Sequence, residues 1–227
     1  KELGMKVVIE RGSTHIAHQT ATLAEEYGCF GVPFDATEPE MIEREEAEYA
    51  AADAICVPSD FAASTFIRHG VHKDRLIVNP LGVDVDRFTA PAKRPAGRIP
   101  RILFVGAVGL RKGVPRLLRA FSRIKERAEL HMIGPVEPGM GQLLSRLPLR
   151  GVVLRGPVRG GALAAEYEAA DIFCLPSIEE GFGMVIPQAM ASGLPIVTTK
   201  VCGAADLVRT GETGLVVPPS DESALLE

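Results

Sequence analysis

The chain consists of two kinds of segment, short apolar runs and longer amphipathic stretches, which follow one another in turn. Short runs of Ile, Leu, Val and Phe predict strands, and the longer amphipathic stretches between them predict helices. The apolar runs lack polar alternation, which favours strands that are covered on both faces. The predicted strands lie at 6–9, 54–57, 76–78, 101–105, 130–133, 152–154, 172–175, 196–198 and 214–217. The predicted helices lie at 40–51, 62–69, 114–127, 141–147, 163–169 and 184–191.

This order of elements indicates an α/β fold built from parallel sheets, because strands that alternate with helices form crossover connections. The stretch 86–100 breaks the pattern, since it is basic, rich in proline and without periodicity. We therefore predict two Rossmann-like, doubly wound domains, at 1–90 and 101–227, joined by a linker at 91–100. The first predicted strand has no earlier partner and the last helical pattern breaks off at the end, so we expect an incomplete N-terminal domain and a truncated last helix.

Composition excludes some classes of partner. A formal net charge of −4 and a pI of about 5.8 give no bulk attraction for nucleic acid, so we predict no nucleic-acid partner. No apolar run approaches the length of a membrane-spanning helix, and the first residues lack the apolar core of a signal peptide. The cysteines show no CxxC spacing, which is typical of reduced thiols and predicts a cytoplasmic protein. They are Cys29, Cys56, Cys174 and Cys202.

The segment 176–193, PSIEEGFGMVIPQAMASG, carries the clearest chemical signal. It follows a predicted strand, turns on Gly181 and Gly183, and enters a predicted helix. Free N–H groups at a helix start bind anions, whereas Glu180 at the edge of this turn suits hydroxyl groups. The segment therefore predicts a ligand with both phosphate and sugar. An ordinary glycine turn beside a helix-capping acid would account for Glu180 but not for the Gly-Phe-Gly sequence.

A second candidate segment, 104–113, follows the first strand of the C-terminal domain. Gly106 and Gly109 permit a sharp turn, and Arg111 and Lys112 bring two cations to the next helix, as a pyrophosphate requires. The spacing matches neither the dinucleotide-binding GxGxxG motif nor a P-loop. Solvated basic residues on a strand–helix turn are the alternative interpretation.

Several strings, from about residue 54 to the end, resemble retaining glycosyltransferases of the GT-B architecture, family 4, the glycosyl transferases group 1. The strings are VNPLGVDVDRF (78–88), FVGAVGLRKG (104–113), LAAEYEAADIFCLPSIEEGFG (163–183), MASGLPIVTT (190–199) and TGETGLVVPP (210–219). They occur in the order found in that family. The resemblance implies a GT-B fold, in which two Rossmann-like domains face each other across a cleft.

The resemblance also implies residue roles. In that family a lysine and an arginine hold the donor pyrophosphate; Lys112 matches the lysine. The arginine often follows the strand-end glycine, where this chain has Ala107, so Arg111 is the expected substitute. Glu180 matches the acid that binds hexose hydroxyls, and His15 matches a histidine near donor sugar and acceptor. The expected catalytic residues are Glu180, His15 and Lys112. The expected donor-binding residues are Gly106, Arg111, Lys112, Glu180, Gly181, Phe182, Gly183 and Gln188.

His15 has an alternative interpretation, in which Ser13 or Thr14 caps a helix and the histidine is incidental. His15 and His18 would share a helical face, but two histidines alone do not make a metal site, and we predict none.

Gln188 departs from the family signature, which is Glu, seven residues, Glu. The second acid binds the ribose hydroxyls, and an uncharged amide there should cost about 1–2 kcal/mol of donor binding. An active enzyme and an inactive, donor-binding relative both remain open.

The resemblance implies transfer of a hexose-type sugar from a nucleotide-diphosphate sugar to a sugar, polysaccharide or lipid-linked acceptor. We expect retention of anomeric configuration, no metal, no cofactor besides the donor substrate, and peripheral association with the inner face of the membrane through a missing N-terminal part. The alternatives are a noncatalytic nucleotide-sugar-binding relative and a GT-B sugar-nucleotide epimerase or phosphorylase. A dinucleotide-dependent oxidoreductase is disfavoured, because the GxGxxG motif is absent.

Overall fold

The structure is a computed structural model that describes residues 4–92 and 97–226. Part of the predicted linker, 93–96, and the last residue of the chain lie outside the described residues. Within the described ranges, no helix is both long and apolar enough to cross a lipid bilayer.

The elements alternate between strand and helix along both halves of the chain. The strands are β1 Val8–Glu10, β2 Ala54–Val57, β3 Leu76–Val78, β4 Arg101–Val105, β5 Glu129–Ile133, β6 Val152–Leu154, β7 Ile172–Leu175, β8 Ile196–Thr199 and β9 Gly214–Val217. The helices are α1 Ile16–Phe30, α2 Pro39–Ala51, α3 Asp60–Arg68, α4 Val114–Phe121, α5 Met140–Leu144, α6 Gly161–Ala169 and α7 Val185–Ala191. Two 3-10 helices cover Lys73–Arg75 and Gly203–Leu207.

Two parallel sheets organise these elements, which confirms the predicted α/β fold class. The N-terminal unit, β1 to β3 with α1 to α3, has a three-stranded sheet in the order β1-β2-β3. The C-terminal unit, β4 to β9 with α4 to α7, has six strands in the order β6-β5-β4-β7-β8-β9. This is the doubly wound order of dinucleotide-binding folds, and its direction reverses between β4 and β7. Such a switch point is where open α/β sheets bind ligands.

Each unit has its own core, and α1 connects the two. The smaller core contains Ile55 and Phe66 in the N-terminal unit. Tyr27 and Phe30 of α1 pack instead against the core of the C-terminal unit, and so does Phe88. The Phe88 ring meets the buried ring of Tyr167 edge to face, with centroids 5.5 Å apart. The chain before β4 therefore already contributes to the C-terminal core.

The structure differs from the predicted helices at two places. Helix α1 is absent from the predicted helices, although the alternative interpretation of His15 places a helix start near residues 13–14. The reason is that its sequence mixes Thr, Gln and His among the apolar residues and its apolar positions face two different cores. The helix predicted at 114–127 ends at Phe121, where the backbone changes to i→i−3 turns such as Ile124 N–H to the Phe121 carbonyl.

Candidate donor-binding site

The loops that follow β4 and β7 meet at the switch point of the C-terminal sheet. The Ile178 N–H donates to the Arg111 carbonyl at 2.8 Å, which joins the two loops directly. Gly113 begins α4 with a φ of 69°, and a Cβ there would overlap the Pro176 carbonyl oxygen. The two segments predicted to bind the donor are therefore adjacent in space.

The loop after β7 is held by backbone bonds and one buried ring. The Glu180 N–H donates to the Val201 carbonyl at 3.1 Å, and the Ala204 N–H donates to the Phe182 carbonyl at 2.6 Å. The Phe182 side chain is buried in the C-terminal core, so its ring anchors the loop. Gly183 adopts a φ of 88°, which only glycine takes without strain.

The Lys112 ammonium contacts the Glu180 carboxylate, and we call this the Lys112–Glu180 pair. Both side chains are largely buried, with 20% and 12% of their surface exposed. Burial, and after it the neighbouring Arg111 charge, lowers the pKa of Lys112 to about 8. A cation and a carboxylate thus lie together at the switch point, and Gly106 lies beside them: a Cβ on it would lie 3.9 Å from Lys112 Cε.

Arg111 pairs with a different acid, Glu179, which the sequence analysis did not single out. The Arg111 Nε lies 2.8 Å from Glu179 Oε2, and it also donates to the Glu179 carbonyl at 3.2 Å. The Glu179 side chain has no exposed surface. We call this the Arg111–Glu179 pair; it lies next to the Lys112–Glu180 pair along both loops.

The N-terminal unit closes on this site around Gly181. The Ser59 hydroxyl, which also caps α3, donates to the Gly181 carbonyl at 2.6 Å. A Cβ on Gly181 would lie 2.5 Å from Ser13 Cα and 2.8 Å from the Gly12 carbonyl oxygen. Gly181 is therefore required for close packing between the units, a reason that its position in a glycine turn did not reveal.

Gln188 lies on the first turns of α7, near the site, but its side chain binds a residue of α6. Its Oε1 accepts a hydrogen bond from the Tyr167 hydroxyl at 3.1 Å. Burial raises the pKa of Tyr167 well above its ordinary value, so this hydroxyl remains a donor. The amide oxygen of Gln188 is thus used to hold α7 against α6.

His15 lies at the start of α1 with its ring buried among aromatic side chains. The ring stacks on His69 with centroids 4.2 Å apart and meets Phe66 edge to face. Burial, followed by the charges of His69 and Arg11, lowers the pKa of His15 to about 4, so the ring is neutral at pH 7. Each of these partners belongs to the N-terminal unit. Among the described residues, the contacts of the His15 ring do not include the Lys112–Glu180 pair.

The alternative interpretation of this segment was wrong about the cap. His15 itself caps α1, with Nδ1 accepting from the Ala17 N–H at 3.3 Å. The Thr14 hydroxyl instead donates to Glu179 at 2.7 Å. As for metal ligands, the described part of the chain brings together no group of three or more His, Cys, Asp or Glu side chains that could hold an ion.

Relatives with known structures share this architecture. The chain is similar to sucrose-phosphate synthase from Thermosynechococcus elongatus, at 28% identity and a TM-score of 0.77 over 96% of this chain and 56% of that one. HepE from Anabaena, solved in complex with UDP and glucose, matches in fold at 18% identity and a TM-score of 0.73, over 97% of this chain and 60% of that one.

Sequence comparison agrees with the structural neighbours. A D-inositol 3-phosphate glycosyltransferase from Xylanimonas cellulosilytica is 31% identical over 95% of this chain and 57% of its own length. The chain thus spans about half the length of the curated relatives it matches. The family model described as glycosyl transferases group 1 matches residues 99–227. This match covers the whole C-terminal unit, and the chain belongs to the glycosyl transferases group 1 family.

Proposed function

We propose that the protein transfers a hexose-type sugar from a nucleotide-diphosphate sugar to a sugar, polysaccharide or lipid-linked acceptor. The observation that carries this proposal is the Lys112–Glu180 pair at the switch point between β4 and β7. A cation that suits phosphate and a carboxylate that suits hydroxyls lie side by side, at the place where such sheets bind ligands. The relatives add support, since one is named as a glycosyltransferase and another was solved with UDP and glucose.

Transfer requires stabilisation of the charge that develops on the leaving diphosphate. Arg111 and Lys112 supply two positive charges from adjacent positions, in a site where burial strengthens electrostatic interactions. We infer that these cations perform the role for which other enzymes use a bound metal, so transfer proceeds without one. On binding, the diphosphate would share the Lys112 ammonium, which leaves Glu180 free to accept from sugar hydroxyls.

We propose that the transfer retains the anomeric configuration of the donor sugar. A double displacement needs a carboxylate that can attack the anomeric carbon. Glu179 is fully buried, with both oxygens engaged in hydrogen bonds, and we assign Glu180 to the sugar hydroxyls and not to attack on the anomeric carbon. We therefore propose front-face transfer, in which the acceptor hydroxyl attacks as the C–O bond to the diphosphate breaks, and its proton passes to the leaving phosphate oxygen.

A noncatalytic nucleotide-sugar-binding protein is the second candidate, and one observation favours it. Gln188 stands where the family has its second acid, and its amide oxygen already accepts from Tyr167. The amide retains two N–H donors for a ribose hydroxyl, but it offers no charge. This candidate predicts donor binding without turnover.

The test is a mass-spectrometric screen of nucleotide sugars against the full-length protein, read as release of nucleoside diphosphate. Lys112→Ala should lower turnover at least 100-fold, since it removes a charge aimed at the leaving group. The matched control is Lys73→Ala, at an exposed lysine of the N-terminal unit, which should leave turnover unchanged.

Two further measurements test metal independence and retention of the anomeric configuration. Turnover should survive excess EDTA, and proton NMR of the product should show the donor's anomeric configuration. Binding of a nucleotide sugar without turnover against any acceptor would select the noncatalytic candidate. An inverted product would refute front-face transfer, and loss of activity in EDTA that is restored by a divalent cation would refute metal independence.

A further inference from the structure

Glu179 is a buried carboxylate whose partners come from both units. Its Oε1 accepts from the Thr14 hydroxyl at 2.7 Å and from the Ser13 hydroxyl at 3.4 Å. Its Oε2 accepts from the Gln19 amide at 3.0 Å and pairs with Arg111 Nε at 2.8 Å. Three donors therefore come from the loop and helix after β1, and a cation, Arg111, comes from the loop after β4.

Burial makes these partners necessary. A carboxylate without exposed surface is tolerated only when it is paired and hydrogen-bonded, because removing it from water otherwise costs several kcal/mol. Arg111 supplies the positive charge, with its Nε 2.8 Å from Oε2. The neutral donors of the N-terminal unit satisfy the rest, so the Arg111–Glu179 pair is complete only when the two units are in contact.

The pair also orients the guanidinium. The Arg111 Nε–H donates to the Glu179 backbone carbonyl at 3.2 Å, and Nε also lies 2.8 Å from the Glu179 carboxylate. One terminal nitrogen donates to the Ser13 hydroxyl at 3.4 Å. Of the five N–H donors of an arginine, three remain without a partner in the described part of the chain. Since the guanidinium is a planar, fixed fork, holding its Nε edge fixes the direction of the remaining donors. The Arg111 side chain is 31% exposed, so these donors can reach a ligand.

We propose that Glu179 is a positioning residue that links contact between the units to the orientation of Arg111 toward the donor diphosphate. This inference rests on the proposed function, in which Arg111 binds that diphosphate. Glu179 itself touches no substrate. It acts through Arg111, so the effect of losing it should disappear once Arg111 is absent.

The experiment is a double-mutant cycle on the full-length protein, with Glu179→Gln, Arg111→Ala and the double variant. Calorimetry measures the Kd of UDP, GDP and ADP in turn, which needs neither acceptor nor chemistry. Glu179→Gln removes the negative charge 2.8 Å from Arg111 Nε while keeping the backbone carbonyl, and should raise the Kd about tenfold. Arg111→Ala should raise it at least as much, and the double variant should bind no more weakly than Arg111→Ala alone.

The matched control is Glu26→Gln, because Glu26 is another acid that joins the units. Its carboxylate is 4% exposed and pairs with Arg116 of α4 at 2.7 Å and 3.0 Å. Glu26→Gln should lower thermal stability but keep the diphosphate Kd within twofold. An equal rise in Kd for Glu26→Gln and Glu179→Gln would overturn the inference, since general weakening of the interface would then suffice.

Thr14→Val provides a second route if Glu179→Gln does not fold. It removes one neutral hydrogen bond to Glu179 while leaving the ion pair, and should raise the Kd about threefold. An unchanged Kd in a folded Glu179→Gln or Thr14→Val protein, or additive effects in the cycle, would refute the role of Glu179 while the proposed function stands. If none of the three diphosphates binds the wild-type protein, the proposed function itself fails.

Discussion

The two ion pairs at the switch point use neighbouring residues and differ in what completes them. The Lys112–Glu180 pair joins two loops of the C-terminal unit, and both side chains retain some exposure. The Arg111–Glu179 pair includes a fully buried acid that needs Ser13, Thr14 and Gln19 from the N-terminal unit. One pair is therefore local to the sheet, and the other depends on contact between the units. We expect Glu180 of the first pair to act on the sugar and Lys112 to bind the diphosphate, whereas the second pair sets the orientation of Arg111 toward that diphosphate.

The largest expected effect comes from a substitution in the Lys112–Glu180 pair. Glu180→Gln should reduce kcat about 100-fold, because an amide holds the sugar hydroxyls less strongly than a carboxylate does. The Kd of nucleoside diphosphate should stay within threefold, since the amide leaves both cations available. Steady-state kinetics and calorimetry on the same preparation check both values. A loss of diphosphate binding equal to the loss of kcat would contradict a division of labour between the pairs.

The next largest effect comes from a substitution at Gly181, where the two units contact each other. Gly181→Ala places a Cβ against the backbone of Ser13 and should lower the free energy of unfolding by about 2 kcal/mol, as overpacking does. Diphosphate affinity should fall as well, because the Arg111–Glu179 pair spans this contact. Urea denaturation and calorimetry measure the two effects.

Gly12→Ala is the matched control for this steric effect. Gly12 lies on the other side of the same contact, but no described atom lies within 4 Å of a Cβ placed on it. Gly12→Ala should leave the free energy of unfolding unchanged or raise it slightly, because alanine lowers the entropy of the unfolded chain. Equal destabilisation by both substitutions would mean that the approach of the units does not determine the effect.

The third effect is a pH dependence that belongs to the local pair. Because the pKa of Lys112 is lowered to about 8, its charge is present at pH 7 and is lost as the pH rises through 8. Diphosphate affinity should therefore fall about tenfold between pH 7 and pH 9. Lys112→Arg keeps its charge over this range and should flatten the profile. Identical profiles for the two proteins would assign the pH dependence to another group.

The smallest effect concerns the N-terminal unit alone. The pKa of His15 is lowered in the folded state, so the unfolded chain binds more protons between pH 6.5 and about 4. Stability is fully present above pH 6.5 and is lost on acidification; the loss from His15 between pH 7.5 and pH 6 is about 0.8 kcal/mol. Ordinary carboxyl groups remain ionised at pH 6, but burial also lowers the pKa of His18, which therefore contributes to the same change.

His15→Gln should reduce this change in unfolding free energy, measured by urea denaturation at the two pH values. His72→Gln, at an exposed histidine, should retain it. A retained change in His15→Gln would show that the ring is not the titrating group.

The residues of the Lys112–Glu180 pair could be identified from the sequence, whereas the partners of Glu179 in the N-terminal unit could not. Lys112 and Glu180 follow strands whose apolar runs are easy to recognise, and the ends of parallel strands beside a switch point converge. The partners of Glu179 lie about 165 residues away, in a segment whose helix lacks clear periodicity. The sequence singled out Glu180 and not Glu179, whose role depends on the packing of Thr14 and Gln19 against it. The close approach at Gly181 depends on two backbones meeting, which no local pattern records.

The separation of Glu179 from its donors has a consequence for recombining parts of related enzymes. A chimera that exchanges the C-terminal unit to change the donor sugar would bring in a new residue at position 179 while keeping the native residues 13–19. If the incoming residue is not an acid, Thr14 and Gln19 lose their acceptor; if the recipient lacks these donors, a transplanted acid is buried without them. Exchange boundaries should therefore treat 13–19 as part of the donor-binding half, although this segment lies in the other half of the sequence.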